Sequence, residues 1–243
     1  MTNMIKMELY RFFHSASTWI ILFIDMLLAF LSVMLVSTNT SIQIYSNAGE
    51  LLAAQINGGM LMVLCAVPVI VFVSAKYKHG FIKNVANQLP RREILVFPEV
   101  ISAFAACALH FAVYSFCTII AGAILLGNTF ITFSAIMKLL IVQVILHWSF
   151  CCLILLFYML TGSTTFTMAA GLLIAFKILN IFYGFIKQFT HFNIDQFMLD
   201  SNIFQVGMYS ERSVYTRAII VGLIFLLAEI VLLCMVMRNK EIK

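Results

Sequence analysis

The sequence predicts an all-α integral membrane protein with six transmembrane helices, and three observations support this fold class. The 243 residues are 63% hydrophobic and only 10% charged, with a mean hydropathy of +1.04, whereas soluble domains are about half apolar and a quarter charged. Apolar runs near the roughly 20 residues that cross a bilayer recur along the chain. The basic residues are also distributed unevenly between the segments that connect these runs.

The six apolar runs must each be helical, because lipid offers no hydrogen-bond partner to an unpaired backbone group. Pro68 lies inside the second run and Pro98 precedes the third, so both are expected at kinks or helix starts. No soluble domain fits between the runs, and residues 1–243 are predicted to form a single transmembrane domain. The predicted spans are Trp19–Val36, Ile56–Ala75, Val100–Leu126, Leu139–Leu160, Phe166–Ile186 and Ala218–Met237.

The positions of lysine and arginine predict the orientation of the chain. An even number of spans puts both termini on one side, together with the segment 76–93. That side holds Lys6, Arg11, Lys76, Lys78, Lys83, Arg91, Arg92, Arg238, Lys240 and Lys243, and the other holds Lys138, Lys187, Arg212 and Arg217. The positive-inside rule therefore places both termini in the cytoplasm. The net charge of +5 reads as a topology signal and implies no nucleic-acid partner.

Two further segments carry apolar side chains but are not predicted to span, the first because it is short and the second because polar residues interrupt it. In residues 1–15, Ile5, Leu9, Phe12 and Phe13 recur at helical spacing, which predicts a helix in the cytoplasmic headgroup layer. Residues 187–217 mix large apolar side chains with polar ones, which predicts short re-entrant helices on the external side between spans five and six.

The segment from Lys76 to Glu93 holds five of the fifteen basic residues. Within it, Ile82, Val85, Ala86 and Leu89 recur at i, i+3, i+4 and i+7, which predicts a short amphipathic helix that Pro90 ends. Its apolar stripe needs a surface to pack on. The inner leaflet is one candidate, since basic residues suit anionic headgroups, and a groove on a soluble partner protein is the other.

The stretch H-G-F-I-K-N-V-A-N-Q-L-P-R-R-E, from His79 to Glu93, resembles the coupling segment of ABC transporter permeases of the type-2 exporter class. The chain as a whole is similar in layout to bacterial permeases that export antimicrobial peptides and phenol-soluble modulins. The resemblance implies two permease chains, as a homodimer, and two copies of an ABC ATPase subunit that binds ATP and Mg. The residues that it assigns to ATPase coupling are His79, Gly80, Phe81, Ile82, Lys83, Val85, Ala86, Asn87 and Leu89.

The absence of a G-x-x-x-x-G-K-[ST] loop fits that reading, because a pump subunit without a phosphate-binding loop needs a separate ATPase. The chain is expected to be a non-catalytic transport subunit that binds no cofactor itself. The six cysteines lie in apolar runs without C-x-x-C or Cys/His spacing, so they are expected to pack as small apolar residues, with no metal site.

Ionisable residues at membrane depth are costly unless they are paired or hydrated, so each is a candidate functional residue. Asp25, His110, His147, Lys177 and Glu229 are predicted either to line the substrate path or to tie helices together. Lys177 is expected to pair with Glu229, since spans five and six are consecutive. Asp25 is expected to reach a second chain or a hydrated cavity, and the histidines to have hydrogen-bonded packing roles.

Three functions are therefore considered. The first is the permease of an ATP-driven exporter in a bacterial cell membrane, and the resemblance implies that its cargo is amphipathic or antimicrobial peptide toxins. The few polar side chains of the spans indicate only that the cargo is amphipathic or lipid-like. The second is an intramembrane hydrolase that uses His110, His147 and either Asp25 or Glu229. The third is an immunity or sensor protein that binds peptides without pumping them.

Overall fold

The computed structural model describes residues 2–38, 48–78, 85, 91–125 and 133–239, and every regular element in them is helical, with no strand. The all-α prediction is therefore confirmed for these residues. The helices are α1 (Thr2–Phe13), α2 (Ala16–Thr38), α3 (Ala48–Ile56), α4 (Gly59–Lys78), α5 (Val96–Leu125), α6 (Phe133–Thr161), α7 (Thr164–Ala175), α8 (Leu179–Thr190), α9 (Leu199–Gln205) and α10 (Arg212–Asn239), with short 3-10 turns at Arg92–Leu95 and Ile194–Phe197.

Five of these helices, α2, α4, α5, α6 and α10, are long and apolar enough to cross a membrane, and α5 gains the preceding 3-10 turn. The α7–α8 pair meets the same criterion but bends by 55° at its break. The chain thus has the helices of a multi-pass membrane protein, with five spans in the described residues, or six where the bent pair crosses as one.

Helices α4 and α6 form the centre of the bundle. In the most apolar 18-residue stretch of each of these two helices, 67% of the residues are buried, compared with 22% in α2 and 28% in α10. Helix α4 packs on α5, α6 and α7, while α10 packs along α6 and α2 along α5. The outer faces of α2 and α10 leave large apolar side chains exposed, as expected for surfaces that contact lipid or another apolar helix.

Helix α1 lies across one end of the bundle, which we call the α1 end, and packs on α5. The Thr18 hydroxyl donates to the Phe12 carbonyl at 2.8 Å, and Trp19 Nε1 donates to the Phe13 carbonyl at 2.8 Å. These bonds satisfy carbonyls that the last turn of a helix leaves without intrahelical partners. The helix predicted within residues 1–15 is present, and its turn into α2 is fixed by side chains of α2.

The fifth predicted span, Phe166–Ile186, is not one continuous helix. Helix α7 ends at Ala175, and Lys177 adopts a left-handed backbone with φ of 61° before α8 begins at Leu179. Helix α8 has no buried residue, whereas α7 buries Thr167, Gly171, Ile174 and Ala175. The continuous apolar run concealed the break because neither glycine nor proline marks it.

The second span also begins later than predicted, because the chain breaks at Asn57 and Gly58. The residues before this break form α3, which packs on α5 at the end opposite α1. Gly59 opens α4 so close to the Ala175 carbonyl of α7 that a Cβ there would collide with backbone. Pro68 lies buried within a continuous α4, and in the turn that it weakens the Cys65 carbonyl accepts from Cys151 Sγ at 3.5 Å.

The predicted external segment, 187–217, contains the end of α8, the Ile194–Phe197 turn, α9 and the start of α10. It is therefore built of short helical elements, as the sequence indicates. Their insertion into a membrane leaflet stays a prediction.

Candidate functional site

The predicted coupling residues lie outside the described residues, apart from one. Val85 is helical and half-buried, and it packs against the hydrophobic core. The structure describes both flanks of this segment, Lys76–Lys78 at the end of α4 and Arg91–Glu99 leading into α5. The geometry of these flanks is therefore what bears on the candidate site.

A buried ionic cluster joins the two flanks to α1. Lys76 Nζ lies 2.8 Å from Glu99 Oε1 and 3.0 Å from Glu8 Oε1, and all three side chains are at most 3% exposed. Arg11 NH1 approaches Glu8 Oε1 at 3.4 Å from a partly exposed position. Within the described residues, the cluster contains two cations and two carboxylates whose charges cancel, which lowers the cost of burying charge.

Packing around the cluster reinforces the same connection. The Phe12 ring lies edge-on to Phe72 of α4 with ring centroids 5.8 Å apart. On the other side of α4, the Tyr77 hydroxyl contacts Met159 Sδ of α6 at 2.9 Å and Met237 Sδ of α10 at 3.4 Å. The residues that precede the coupling segment are therefore fixed to α1, α5, α6 and α10.

The sequence did not predict this cluster. The sequence predicts only that Lys76 is a cytoplasmic cation, and its patterns do not identify Glu8 or Glu99 as candidate functional residues. A signal was present, since Glu99 is an acid beside Pro98 at the start of an apolar run. The pairing itself is tertiary, because Lys76 and Glu99 are separated by the whole coupling segment.

Asp25 does not reach a second chain or a hydrated cavity, contrary to the prediction. Its Oδ2 pairs with His110 Nδ1 of α5, and both side chains are fully buried. This pair joins α2 to α5 in the interior of the bundle, and its location supports an interhelical tie.

The predicted pairing of Lys177 with Glu229 is also wrong. Lys177 lies at the exposed break between α7 and α8, with Nζ 4.3 Å from the centroid of the Phe204 ring. Glu229 is buried in α10, where Oε2 accepts from the Ser149 hydroxyl at 3.0 Å. The left-handed conformation of Lys177 explains the difference, because it ends α7 and prevents a straight fifth span from facing α10.

His147 has the packing role that the sequence predicted. The ring is fully buried, its Nδ1 bonds to the Gln143 carbonyl at 2.9 Å, and it lies edge-on to Phe111. Gln143 itself was missed by sequence analysis. Its Nε2 donates to Asn57 Oδ1 at 2.8 Å and to the Ile203 carbonyl at 2.9 Å, which ties α6 to the α3–α4 break and to α9.

A small cleft of about 270 Å³ lies between α8 and α9 at the end opposite α1. Beside it, Asp200 is buried and accepts the Tyr183 hydroxyl at 3.1 Å. Burial raises the pKa of Asp200 above its ordinary value of 3.8, and hydrogen bonds from Tyr183 and from backbone N–H groups oppose the shift. The cleft is lined by Asn180, Tyr183, Gly184, Lys187, Asp195, Ser201, Phe204 and Gln205.

The described residues contain no group of three or more His, Cys, Asp or Glu side chains that could hold a metal ion. The six cysteines are free thiols, four of them buried. No protein-family model and no curated protein sequence matches the chain. Among the buried polar groups of the described residues, the cluster at the α1 end is the one that adjoins the predicted coupling segment.

Proposed function

We propose that this chain is the transmembrane permease subunit of an ATP-driven ABC exporter, which moves amphipathic or antimicrobial peptides out of a bacterial cell. Two permease chains, as a homodimer, would assemble with two ATPase subunits that bind ATP and Mg. Both termini and the segment 76–93 would face the cytoplasm, and this chain would contribute no catalytic residue. The type-2 exporter layout motivates the proposal.

The buried cluster of Glu8, Lys76 and Glu99 is the observation that supports the proposal most. A coupling helix transmits work only where both of its flanks are rigidly attached to the transmembrane helices. Here Lys76, before the predicted coupling helix, and Glu99, after it, form an ion pair at 2.8 Å. Glu8 of α1 contacts the same lysine at 3.0 Å. A force on the segment would therefore displace α1, α4 and α5 together.

The distribution of apolar surface supports a second copy of the chain. Helix α2 exposes a continuous row of large side chains, including Trp19, Phe23, Leu27 and Phe30. The interior polar residues instead pair with one another inside the bundle, as Asp25 does with His110. A path for cargo would thus lie between two copies of the chain, along apolar faces that suit an amphipathic peptide better than a hydrophilic ion.

An intramembrane hydrolase is the second candidate, and the Asp25–His110 pair is the observation that favours it. A carboxylate that orients an imidazole is half of many nucleophilic sites. Both side chains are fully buried, so a substrate would have to open the α2–α5 contact to reach them. An Asp25→Asn variant that folds but loses a peptide-cleaving activity measured without ATP would favour the hydrolase over the exporter.

The exporter proposal is tested by co-expression with a cognate ABC ATPase. The wild-type chain should purify with the ATPase and stimulate peptide-dependent ATP hydrolysis. Phe81→Asp should abolish that stimulation, because a charge replaces an apolar side chain on the proposed contact face. Asn84→Asp, which adds the same charge on the opposite, polar face of the predicted helix at a residue not assigned to coupling, is the matched control. Unchanged stimulation in Phe81→Asp would remove the coupling assignment.

A further inference from the structure

A cleft of about 690 Å³ opens between the first turns of α6 and α10, at the end opposite α1. It is separate from the ionic cluster and from the interior pairs described above. On α6 the lining residues follow one helical face through the first three turns, and on α10 they recur at i, i+3 and i+7. The lining residues are Ser134, Ala135, Lys138, Ile141, Val142, Met208, Ser210, Arg212, Tyr215 and Ile219.

The mouth of this cleft is cationic. Lys138 and Arg212 are both exposed and both line it, and the structure gives neither an ion pair with any acid in the part of the chain that it describes. Glu211 is adjacent to Arg212 in sequence but does not line the cleft, and its carboxylate accepts the Ser213 hydroxyl at 3.2 Å. The cleft therefore has a charge of +2 that its own walls do not neutralise.

Hydroxyl groups and a fixed loop complete the polar part. The Tyr215 hydroxyl donates to the Gly207 carbonyl at 2.8 Å, which fastens the loop before α10 to the helix. The Gly207 N–H donates to Ser210 Oγ at 2.9 Å, so the Ser210 hydroxyl is held at the cleft wall. Ser134 adds a second hydroxyl on the α6 side. The wall is thus positioned before any ligand arrives.

The floor of the cleft is apolar. Ile141 and Val142 lie about one turn beyond Lys138, and Ile219 lies about two turns beyond Arg212, or roughly 5 and 10 Å along their helices. Both helices are membrane-span candidates. The cleft therefore runs from charged side chains at the helix ends toward apolar side chains at greater membrane depth.

From this arrangement we infer that the cleft binds an anionic phospholipid, with its phosphate between Lys138 and Arg212 and its first acyl methylenes against Ile141 and Ile219. Two cations near a membrane surface attract anionic lipid, at about 1 kcal/mol for each basic residue. A free phosphate ion would leave the apolar floor unused, and a cationic peptide would be repelled. In the proposed orientation this end is external, where the positive-inside rule disfavours basic residues, so a lipid ligand also explains why two of them meet here.

Native mass spectrometry of the full chain released from mixed phosphatidylglycerol and phosphatidylcholine nanodiscs tests the inference. The wild type should retain phosphatidylglycerol in preference to phosphatidylcholine, and a Lys138→Gln/Arg212→Gln double variant should lose about tenfold or more of that preference. The charge-retaining Lys138→Arg/Arg212→Lys variant should keep it. Lys187→Gln, a basic residue at the same end that does not line this cleft, should also keep it.

Three results would overturn the inference. One is equal retention of the two lipids by the wild type, and another is an unchanged preference in the Lys138→Gln/Arg212→Gln variant. The third is displacement of phosphatidylglycerol by soluble glycerol phosphate at equal concentration, which would assign the cleft to a soluble anion. Because Lys138 and Arg212 are exposed, thermal denaturation of the double variant should match the wild type in phosphatidylcholine, which separates lost binding from misfolding.

Discussion

Substitution of Lys76 by methionine is the sharpest test of the structure at the α1 end. The lysine is 1% exposed and lies 2.8 Å from Glu99 and 3.0 Å from Glu8. Without it, the buried carboxylates of Glu8 and Glu99 lose the ammonium group that they share. Removing one partner of a buried ion pair typically costs about 3–5 kcal/mol, and we expect a loss of that size in the free energy of unfolding.

The variants around Lys76 should form a graded series. Glu8→Gln removes the charge that faces Lys76 and the partly exposed Arg11 but leaves Lys76 paired with Glu99, so it should cost about 1.5–3 kcal/mol. The triple variant Glu8→Gln/Lys76→Met/Glu99→Gln removes every charge of the triad and should recover most of the loss, because neutral replacement of a buried ion group is often close to neutral. Lys78→Met, an exposed lysine two residues along α4, is the control and should have little effect.

The assay is equilibrium unfolding in mixed micelles of increasing SDS fraction, with hydrogen exchange of the α1 amides as a local readout. Lys76→Met should unfold at lower SDS and expose α1 to exchange, whereas Lys78→Met should do neither. Coincident unfolding curves for wild type, Lys76→Met and Lys78→Met would show that Lys76 is not buried between two carboxylates, because such a lysine cannot be removed without loss of stability.

The remaining predictions concern backbone packing and pH. Gly59→Ala should lower the thermal stability of the detergent-solubilised chain, because the added Cβ would collide with the Ala175 carbonyl. At Gly184 no atom lies within 4 Å of an added Cβ. Gly184→Ala should therefore leave the stability unchanged or raise the free energy of unfolding by up to about 1 kcal/mol, because alanine has the higher helix propensity. Equal effects of the two would contradict the α4–α7 contact. The pKa of Asp200 is raised in the folded state, so between its ordinary value of 3.8 and the raised value the folded state binds more protons than the unfolded state. The free energy of unfolding therefore falls as the pH rises through this interval. Asp200→Asn should therefore gain stability relative to wild type as pH is raised from 4, and a stability difference that does not vary with pH would show that this carboxyl titrates normally.

The sequence was sufficient to predict the helical class and the approximate spans, because lipid imposes both length and backbone pairing on a membrane helix. It was insufficient at Lys177, where one left-handed residue breaks the fifth span without a glycine or proline. The apolar periodicity continues across that break, so a pattern of side chains carries no sign of the change in backbone. Lys177 itself is the one unusual residue at the break, and the sequence predicts it to be an ion-pair partner rather than a helix end.

The candidate site shows a different limit. Hydropathy identified Asp25, His110, His147 and Glu229 as unusual, but it did not identify their partners, and two of the predicted relationships were wrong. The contacts between buried side chains depend on how each helix is rotated about its axis and on the angle at which two helices cross. The local sequence around a residue determines neither of these. The Asp25–His110 pair joins the first and third spans, and no rule of adjacency favours that pairing over one between consecutive helices.

The predicted coupling helix is the most local of the sequence inferences, since it rests on a four-residue stripe of apolar side chains. Its nine assigned residues fall outside the described part of the chain except for Val85. What the structure adds is the condition at its flanks, where Lys76 and Glu99 are paired and held to α1. Periodicity alone contains no information on such a pairing across the segment.

The proposed function requires that a separate ATPase drives peptide movement through this chain. Uptake of a labelled amphipathic peptide into inside-out proteoliposomes measures it directly, with the chain alone, the ATPase alone, or both together. We expect ATP-dependent accumulation only when both proteins are present, and its loss in the Phe81→Asp variant. Accumulation or cleavage of the peptide by the chain alone, without ATP, would contradict it.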